Sequence, residues 1–331
     1  MASLDEKKNI QIFQSSFGNK KFVADDVETF RIGKKNGVVK IDTLVASTDM
    51  LPHMKLSDVA RKSVVASVSD FASKGVRPSY CIISVSLPKN FSKSKINQLA
   101  SGFRIASKEF GFRILGGDTN KANDLVISVA LFGSSNRITS RKGAKEGDVV
   151  VVSGPFGLSA SALKIFLEGK KATHGFRRRA EKSATHPLPR LSFGIDAAPL
   201  FSASMDSSDG LSTCLVELAK QSNKRFIITK LPVASGVKEF ASANRLDLFD
   251  LVLNGGEEYE IVATAPLRNF QKLTKIAKRH KIDLIKIGTV QKGSGVFLHD
   301  GESQMRIMDR GWSHKFQTSH EKTTHLAKNV F

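Results

Sequence analysis

Cysteine is scarce in this chain, with only Cys81 and Cys214 among 331 residues. Cys81 falls in an apolar run that reads as strand and Cys214 in one that reads as helix. Neither has metal-type spacing, so they read as buried thiols in a reducing compartment rather than as a disulfide framework. Aromatics suited to stacking on bases are thin as well, one Trp and two Tyr, while the 22 Phe mostly fit apolar faces. That argues against a nucleic-acid-binding module and against nucleic acid as a partner. No run of about 18 apolar residues occurs, and the opening MASLDEKKNIQIF has no long apolar centre, so neither a membrane span nor export is expected and a cytoplasmic location is. The familiar nucleotide signatures are missing too. There is no GxxxxGK[ST], no GxGxxG after a strand and no HRD loop, and SDFASKG lacks the setting of a kinase DFG. Acid is in short supply, 31 Asp plus Glu against 51 Lys plus Arg, for a net charge of +20. Such a surface favours anionic partners, whether nucleic acid or phosphorylated small molecules, or is simply lysine-rich.

The length suits two ordinary domains. Residues 1–20 are polar and weakly patterned, a mobile or docking arm. KIDTLVASTD reads as a strand ending at Asp49. Ser57 to Lys74 reads as a helix, with Ser57 as N-cap, a stripe of Ala60, Val64, Val68, Phe71 and Ala72, and a stop at Gly75 and Pro78. Asp70 near its end opposes the helix dipole and asks for a cation or for Lys74 one turn on. Tyr80–Leu87 is a strand, and Ile96 to Phe110 carries a second helical stripe. FRILGGDTN then reads either as a strand delivering Asp118 beside a ligand or as a hairpin turn into Leu125–Phe132. The polar stretch 136–148 marks a domain boundary. Lys170 to Arg190 carries seven Lys or Arg against one Glu, a solvated loop or a mobile phosphate-binding flap. SMDSSDGLSTCLVE reads as strand, carboxylate turn and helix, capped by Ser207 or Ser208. NGGEEYEIVATAP places three glutamates before a strand. A basic tail follows Phe316.

Although the chain is short of acid, its acids fall beside glycines and at strand ends: Asp26, Asp49, Asp70, Asp118, Asp206, Asp209 and Glu257 to Glu260. An aspartate before a helix also serves as a plain cap. Brought together, such groups repel unless divalent cations neutralise them. Oxygen-only donors without His or Cys point to magnesium, and several aspartates to several ions bridging a nucleotide, hence phosphoryl transfer.

Eight motifs in order complete the picture: ADD at 24–26, STDML at 47–51, SVSD at 67–70, GGDT at 116–119, RKGAKEGD at 141–148, SMDSSDGL at 204–211, NGGEEYE at 254–260, and GW with His314. From about residue 22 to 316 the chain resembles the thiamine-monophosphate kinases, of the aminoimidazole ribonucleotide synthetase-like superfamily. The resemblance implies a two-domain α+β fold. It consists of an N-terminal ATP- and magnesium-binding, dimerising domain (21–137), a C-terminal substrate domain (148–316) and a tail (317–331). It implies an enzyme that forms ADP and thiamine diphosphate from ATP and thiamine monophosphate by direct in-line transfer. It further implies a homodimer joined through N-terminal sheets, with ATP in a subunit groove. By the resemblance, Asp26, Asp49, Asp70, Asp118, Asp206 and Asp209 are magnesium ligands. Asp26, Gly117, Asp118, Thr119, Arg141 and Ser208 hold ATP, and Asp206, Ser208 and Asp209 are catalytic. Glu257, Glu258 and Tyr259 line the thiamine side, and Trp312 packs on the heterocycle or sits in a core. The sequence departs from the pattern at Ala24, at Asn254, at His186, and at Pro52–Met54, where a segment is shortened. A different acceptor on the same fold is the alternative, as in aminoimidazole ribonucleotide synthetase. No N-terminal reactive Cys supports a selenophosphate synthetase, and no C-terminal Cys a hydrogenase-maturation protein.

Overall fold

The computed structural model describes residues 6–19, 22–299 and 301–312; His314 and the tail after Phe316 lie outside them. The first half runs α1 (Glu6–Ser16), β1 (Glu28–Ile32), β2 (Lys35–Val45), α2 (Ala46–Asp49), α3 (Leu56–Lys74), β3 (Pro78–Pro88), α4 (Lys93–Phe110), β4 (Arg113–Ala122) and β5 (Val126–Ser135). These strands make a sheet of order β1-β2-β5-β3-β4, in which only β3 and β4 pair in parallel. That pairing follows from α4, because a parallel neighbour needs a crossover long enough to bring the chain back to the same end. α3 and α4 cover one face of the sheet with Val64, Val68, Phe71, Leu99 and Ala106, all buried. The opposite face leaves Ile41, Tyr80, Ile82 and Leu115 exposed.

The second half contains β6 (Asp148–Val152), α5 (Leu158–Glu168), α6 (His174–Thr185), α7 (Leu191–Ala197), β7 (Ala203–Asp206), α8 (Leu211–Ser222), β8 (Arg225–Ile228), α9 (Val237–Asn244), β9 (Ile261–Pro266), α10 (Phe270–Arg279), β10 (Ile285–Gln291), β11 (Gly295–His299) and β12 (Gln304–Ile307). Its sheet has the order β12-β11-β8-β10-β6-β9-β7. Each half thus has an α+β sheet of its own, yet the cores are shared. Val64, Phe71 and Ala72 of α3 belong to one apolar cluster with Phe193, Phe201, Tyr259 and Ile261.

Several expectations are corrected. α3 begins at Leu56 with Lys55 at its N-cap, so Ser57 is already inside the helix and makes no cap. α8 likewise starts after Gly210, whose φ of 110° few residues but glycine adopt. Ser207 instead accepts the Glu260 N–H at 2.8 Å. GGDT is neither a strand end nor a hairpin turn; it lies within edge strand β4. Gly117 has no room for a side chain, since a methyl there would overlap the Ile83 carbonyl. The basic stretch 170–190 is neither loop nor flap, because α6 packs Phe176, Ala180 and Ala184 inward and Thr173 caps it. The N-terminal arm is helical from Glu6, with Ile12, Phe13 and Phe17 exposed around and just beyond it.

Candidate active site

β2 alternates Val38, Lys40, Asp42 and Leu44 onto the face that meets α3, because strand side chains alternate between faces. The single turn of α2 folds Asp49 back, and its carboxylate accepts the Val45 N–H at 2.7 Å. α3 turns Lys62, Asp70, Ser73 and Lys74 toward the same region, and β7 ends there at Asp206. Asp26 arrives from the loop before β1. Carboxylate oxygens of Asp26, Asp70 and Asp206 all lie within 4.8 Å of one another, and all three residues are buried.

Cations surround the three. Lys74, wholly buried, lies 2.6 Å from Asp25 and 3.0 Å from Asp26, and donates to the Ser204 carbonyl at 2.7 Å. Arg141 donates through Nε to Asp26 at 2.6 Å, and Ser73 donates to it at 2.6 Å. Burial opposes ionisation of Asp26, but Lys74 and Arg141 outweigh it and hold its carboxyl well below the usual range. Lys40 lies 3.0 Å from Asp70 and 3.5 Å from Asp42. Burial nevertheless pushes the Asp70 carboxyl well up, helped by Asp206 and Asp42 against the pull of Lys40. Asp206 is raised to about 7 by burial first and Asp26 next. Desolvated carboxylates that resist joint ionisation, with no His or Cys among them, suit a hard divalent cation such as magnesium.

Asp70 does not bond to Lys74, the alternative its position allowed. The helix spacing is right, but Lys74 turns into the interior toward Asp25, Asp26 and Ser204 and leaves Asp70 to Lys40.

In front of this cluster opens a cleft of about 330 Å³. Asp42, Asp49, Lys62, Asp209, Glu257 and Trp312 line it, with Ser208, Tyr259 and the apolar Leu163 and Leu167. The turn from Asp206 to Asp209 joins the two places, with the first aspartate in the cluster and the second in the cleft wall. That turn is held by the Glu257 N–H donating to the Ser208 carbonyl at 2.7 Å and the Trp312 N–H to the Asp209 carbonyl at 3.0 Å. Gly256 approaches the Ser208 backbone closely enough that a side chain there would collide with it.

Within one chain the remaining expected residues lie elsewhere. Gly117, Asp118 and Thr119 are exposed on edge strand β4, where Asn120 donates to Asp118 at 2.6 Å. Glu258 does not face the cleft. Its flanking residues Glu257 and Tyr259 take φ of 62° and 53°, and its carboxylate turns inward to the start of α5. It accepts the N–H groups of Gly157 at 2.7 Å and Ser159 at 3.0 Å, donors that every helix start leaves open. Burial raises the Glu258 carboxyl to about 7 in spite of those bonds. Glu260 pairs with Arg190 and accepts from Ser153. Lys40, Asp42, Lys62 and Lys74 stand beside the cluster or in the cleft wall but were not among the expected residues. For Lys40 and Asp42 the two-residue spacing in KIDTL was the available signal.

The family described as AIR synthase related protein matches this chain through its N-terminal domain over residues 24–135 and its C-terminal domain over 145–301. The thiamine-monophosphate kinase of Nitrosopumilus maritimus is 47% identical over 95% of this chain and 99% of its own. That of Pyrococcus abyssi is 33% identical over 95% and 97%. Among solved structures, AaThiL complexed with AMPPCP and TMP gives a TM-score of 0.81 at 27% identity, covering 94% of this chain and 97% of that one. By its two matched domains and by its identity to curated relatives over almost its whole length, this chain belongs to the thiamine-monophosphate kinase family of AIR synthase related proteins.

Proposed function

We propose that this protein transfers the γ-phosphoryl group of ATP to thiamine monophosphate, releasing ADP and thiamine diphosphate, and that it does so with magnesium and as a homodimer. The observation that carries this reading is the turn 206–209, which sets one aspartate in a buried carboxylate cluster and the next in the wall of an aromatic-rimmed cleft. The curated relatives carry the name of that activity, and AaThiL was solved with AMPPCP and TMP.

The acceptor is itself a phosphate and needs little deprotonation at neutral pH, so positioning and charge neutralisation suffice and no general base is required. Asp26, Asp70 and Asp206 would hold magnesium, which would supply positive charge to offset that of the phosphates. Arg141 and Lys74 keep Asp26 ionised and fixed in place. Asp209 and Asp49 extend the acidic surface to the cleft, and Ser208 sits at the junction. Glu257 offers a carboxylate to the thiazolium cation, and Trp312, Tyr259, Leu163 and Leu167 exclude water from the ring.

The exposed Ile41, Tyr80, Ile82 and Leu115 form the apolar face through which two copies pair. Asp118 pairs in register with Ser84 on strands carrying that same face, so GGDT reaches a nucleotide across a subunit groove rather than within its own chain. Two buried free thiols accord with a reducing, cytoplasmic setting, and no described helix is long and apolar enough to cross a membrane.

The test is ADP release from ATP with thiamine monophosphate, with and without EDTA, and with unphosphorylated thiamine as control acceptor. Turnover confined to the phosphate ester and to added magnesium is expected. Asp209→Asn should lower kcat roughly 100-fold or more while leaving the melting temperature within a few degrees. Full activity in that variant removes Asp209 from the mechanism, and ATP binding without thiamine diphosphate formation removes the acceptor.

A further inference from the structure

Lys62 lies on α3 with 2% of its surface exposed. Among the described residues lining the cleft it is the one cationic side chain, set against the carboxylates of Asp42, Asp49, Asp209 and Glu257. Its ammonium donates to the Asp49 backbone carbonyl at 3.3 Å and lies 2.6 Å from the Glu257 carboxylate. An ammonium has three N–H donors, so these two acceptors leave one direction unfilled. Glu257 is more open, with 28% of its side chain exposed, and it is held at a φ of 62° that side-chain-bearing residues rarely adopt. The pair therefore joins a fixed, buried cation to a half-exposed anion at the wall of the cleft.

A lone buried ammonium would be strongly disfavoured, and the pairing with Glu257 removes that penalty when no ligand is bound. A ligand carrying both an anion and a cation can replace each member of the pair. Thiamine monophosphate is such a molecule, with a phosphate at one end and a thiazolium ring in the middle. The triad Asp26, Asp70 and Asp206, Arg141 and the GGDT strand do not line the cleft. A phosphate entering on this side meets Lys62 as its positive side chain.

We propose that Lys62 binds the phosphate of the acceptor and that the Lys62–Glu257 ion pair opens on binding, its ammonium passing to the phosphate and its carboxylate to the thiazolium. This rests on the acceptor assigned above. Lys62 is then the residue by which the cleft distinguishes the phosphate ester from free thiamine.

The experiment is calorimetric titration of the full-length protein with thiamine monophosphate and with thiamine, in magnesium and a non-hydrolysable ATP analogue. A separate arm titrates the analogue alone. The wild type should prefer the ester. Lys62→Met should cut that preference by about 10–100-fold, the worth of a hydrogen bond to a charged group, and leave affinity for the analogue within threefold. Lys62→Arg should keep most of the preference, and Glu257→Gln, which takes the carboxylate from the thiazolium of both ligands but leaves Lys62 without its resting partner, should weaken thiamine more than the ester. An unchanged ratio of the two affinities in folded Lys62→Met overturns the proposal. So does an equal loss for the ATP analogue, which would assign Lys62 to the nucleotide. If Lys62→Met does not fold, Lys62→Gln decides by the same ratio. A wild type that forms no thiamine diphosphate defeats the proposed function instead, a failure read in turnover and not in the ratio.

Discussion

Glu258 shows how one side chain can look like a substrate ligand and act as a brace. The glycines and neighbouring acids around it are those of a site, but two positive-φ residues turn it away from the cleft and onto the first turn of α5. Its carboxyl, raised from 4.5 to about 7, gives a definite pH effect. Below pH 4.5 both folded and unfolded chains are protonated there and the contribution to stability is fully present. As pH rises toward 7 the unfolded chain releases the proton while the folded one retains it, so stability falls across that window and levels off above it. Glu258→Gln keeps an acceptor for the helix N–H groups and lacks the titration. Denaturation midpoints measured from pH 4.5 to 8 should fall less steeply in the variant than in the wild type; parallel curves would refute the assignment. The acids of the cluster were legible in the sequence because each stands in a short distinctive motif. Lys40, Lys62 and Lys74 were not. A lysine is ordinarily a surface residue, and only the fold reveals which carboxylates these three meet: Asp70 and Asp42 for Lys40, Glu257 for Lys62, and Asp25 and Asp26 for Lys74.

Among the elements, α3 was the most legible, since its apolar positions repeat at helical spacing and Gly75 closes it. α6 was hidden, because its buried stripe is Phe176 followed by two alanines, too small a signal among Arg177, Arg178, Arg179 and Lys182. β4 was misread for the opposite reason. Two adjacent glycines suggest a turn, yet here the second, Gly117, lets an edge strand lie against the backbone of β3 at Ile83, while Gly116 faces open space. Glycine has a similar use between α3 and α4. A methyl on Gly102 would meet the Ser57 carbonyl and the Ala60 side chain. Alanine in a helix interior ordinarily gains about 0.5–1 kcal/mol over glycine, while overpacking costs about 1–3 kcal/mol. Gly102→Ala should therefore destabilise by about 1–2 kcal/mol in urea denaturation, and a gain in stability would show that the two helices can move apart freely.

In the molecule as a whole, the apolar outer face of the first sheet is the feature that composition concealed. A net charge of +20 suggests a surface that repels its copies, but Ile41, Tyr80, Ile82 and Leu115 gather where few charges stand. If two copies pair through this face as proposed, Ile82→Glu should shift the protein from dimer to monomer in sedimentation velocity and lower turnover with it, because GGDT would then lose its opposing subunit. A dimer that survives this change would place the interface elsewhere.

Lys74 has a bearing on how the chain is made. Its ammonium is enclosed by Asp25 and Asp26, which are synthesised before it, and by the Ser204 carbonyl, which follows 130 residues later. A ribosome releasing the chain exposes every strand of the first sheet long before that last acceptor emerges. During the interval the nascent first half holds a positive charge whose final neighbour is still inside the exit tunnel, and its helix α3 still lacks Phe193, Phe201 and Ile261 to pack against. The packing of the early half is thus completed only once the second half has been translated.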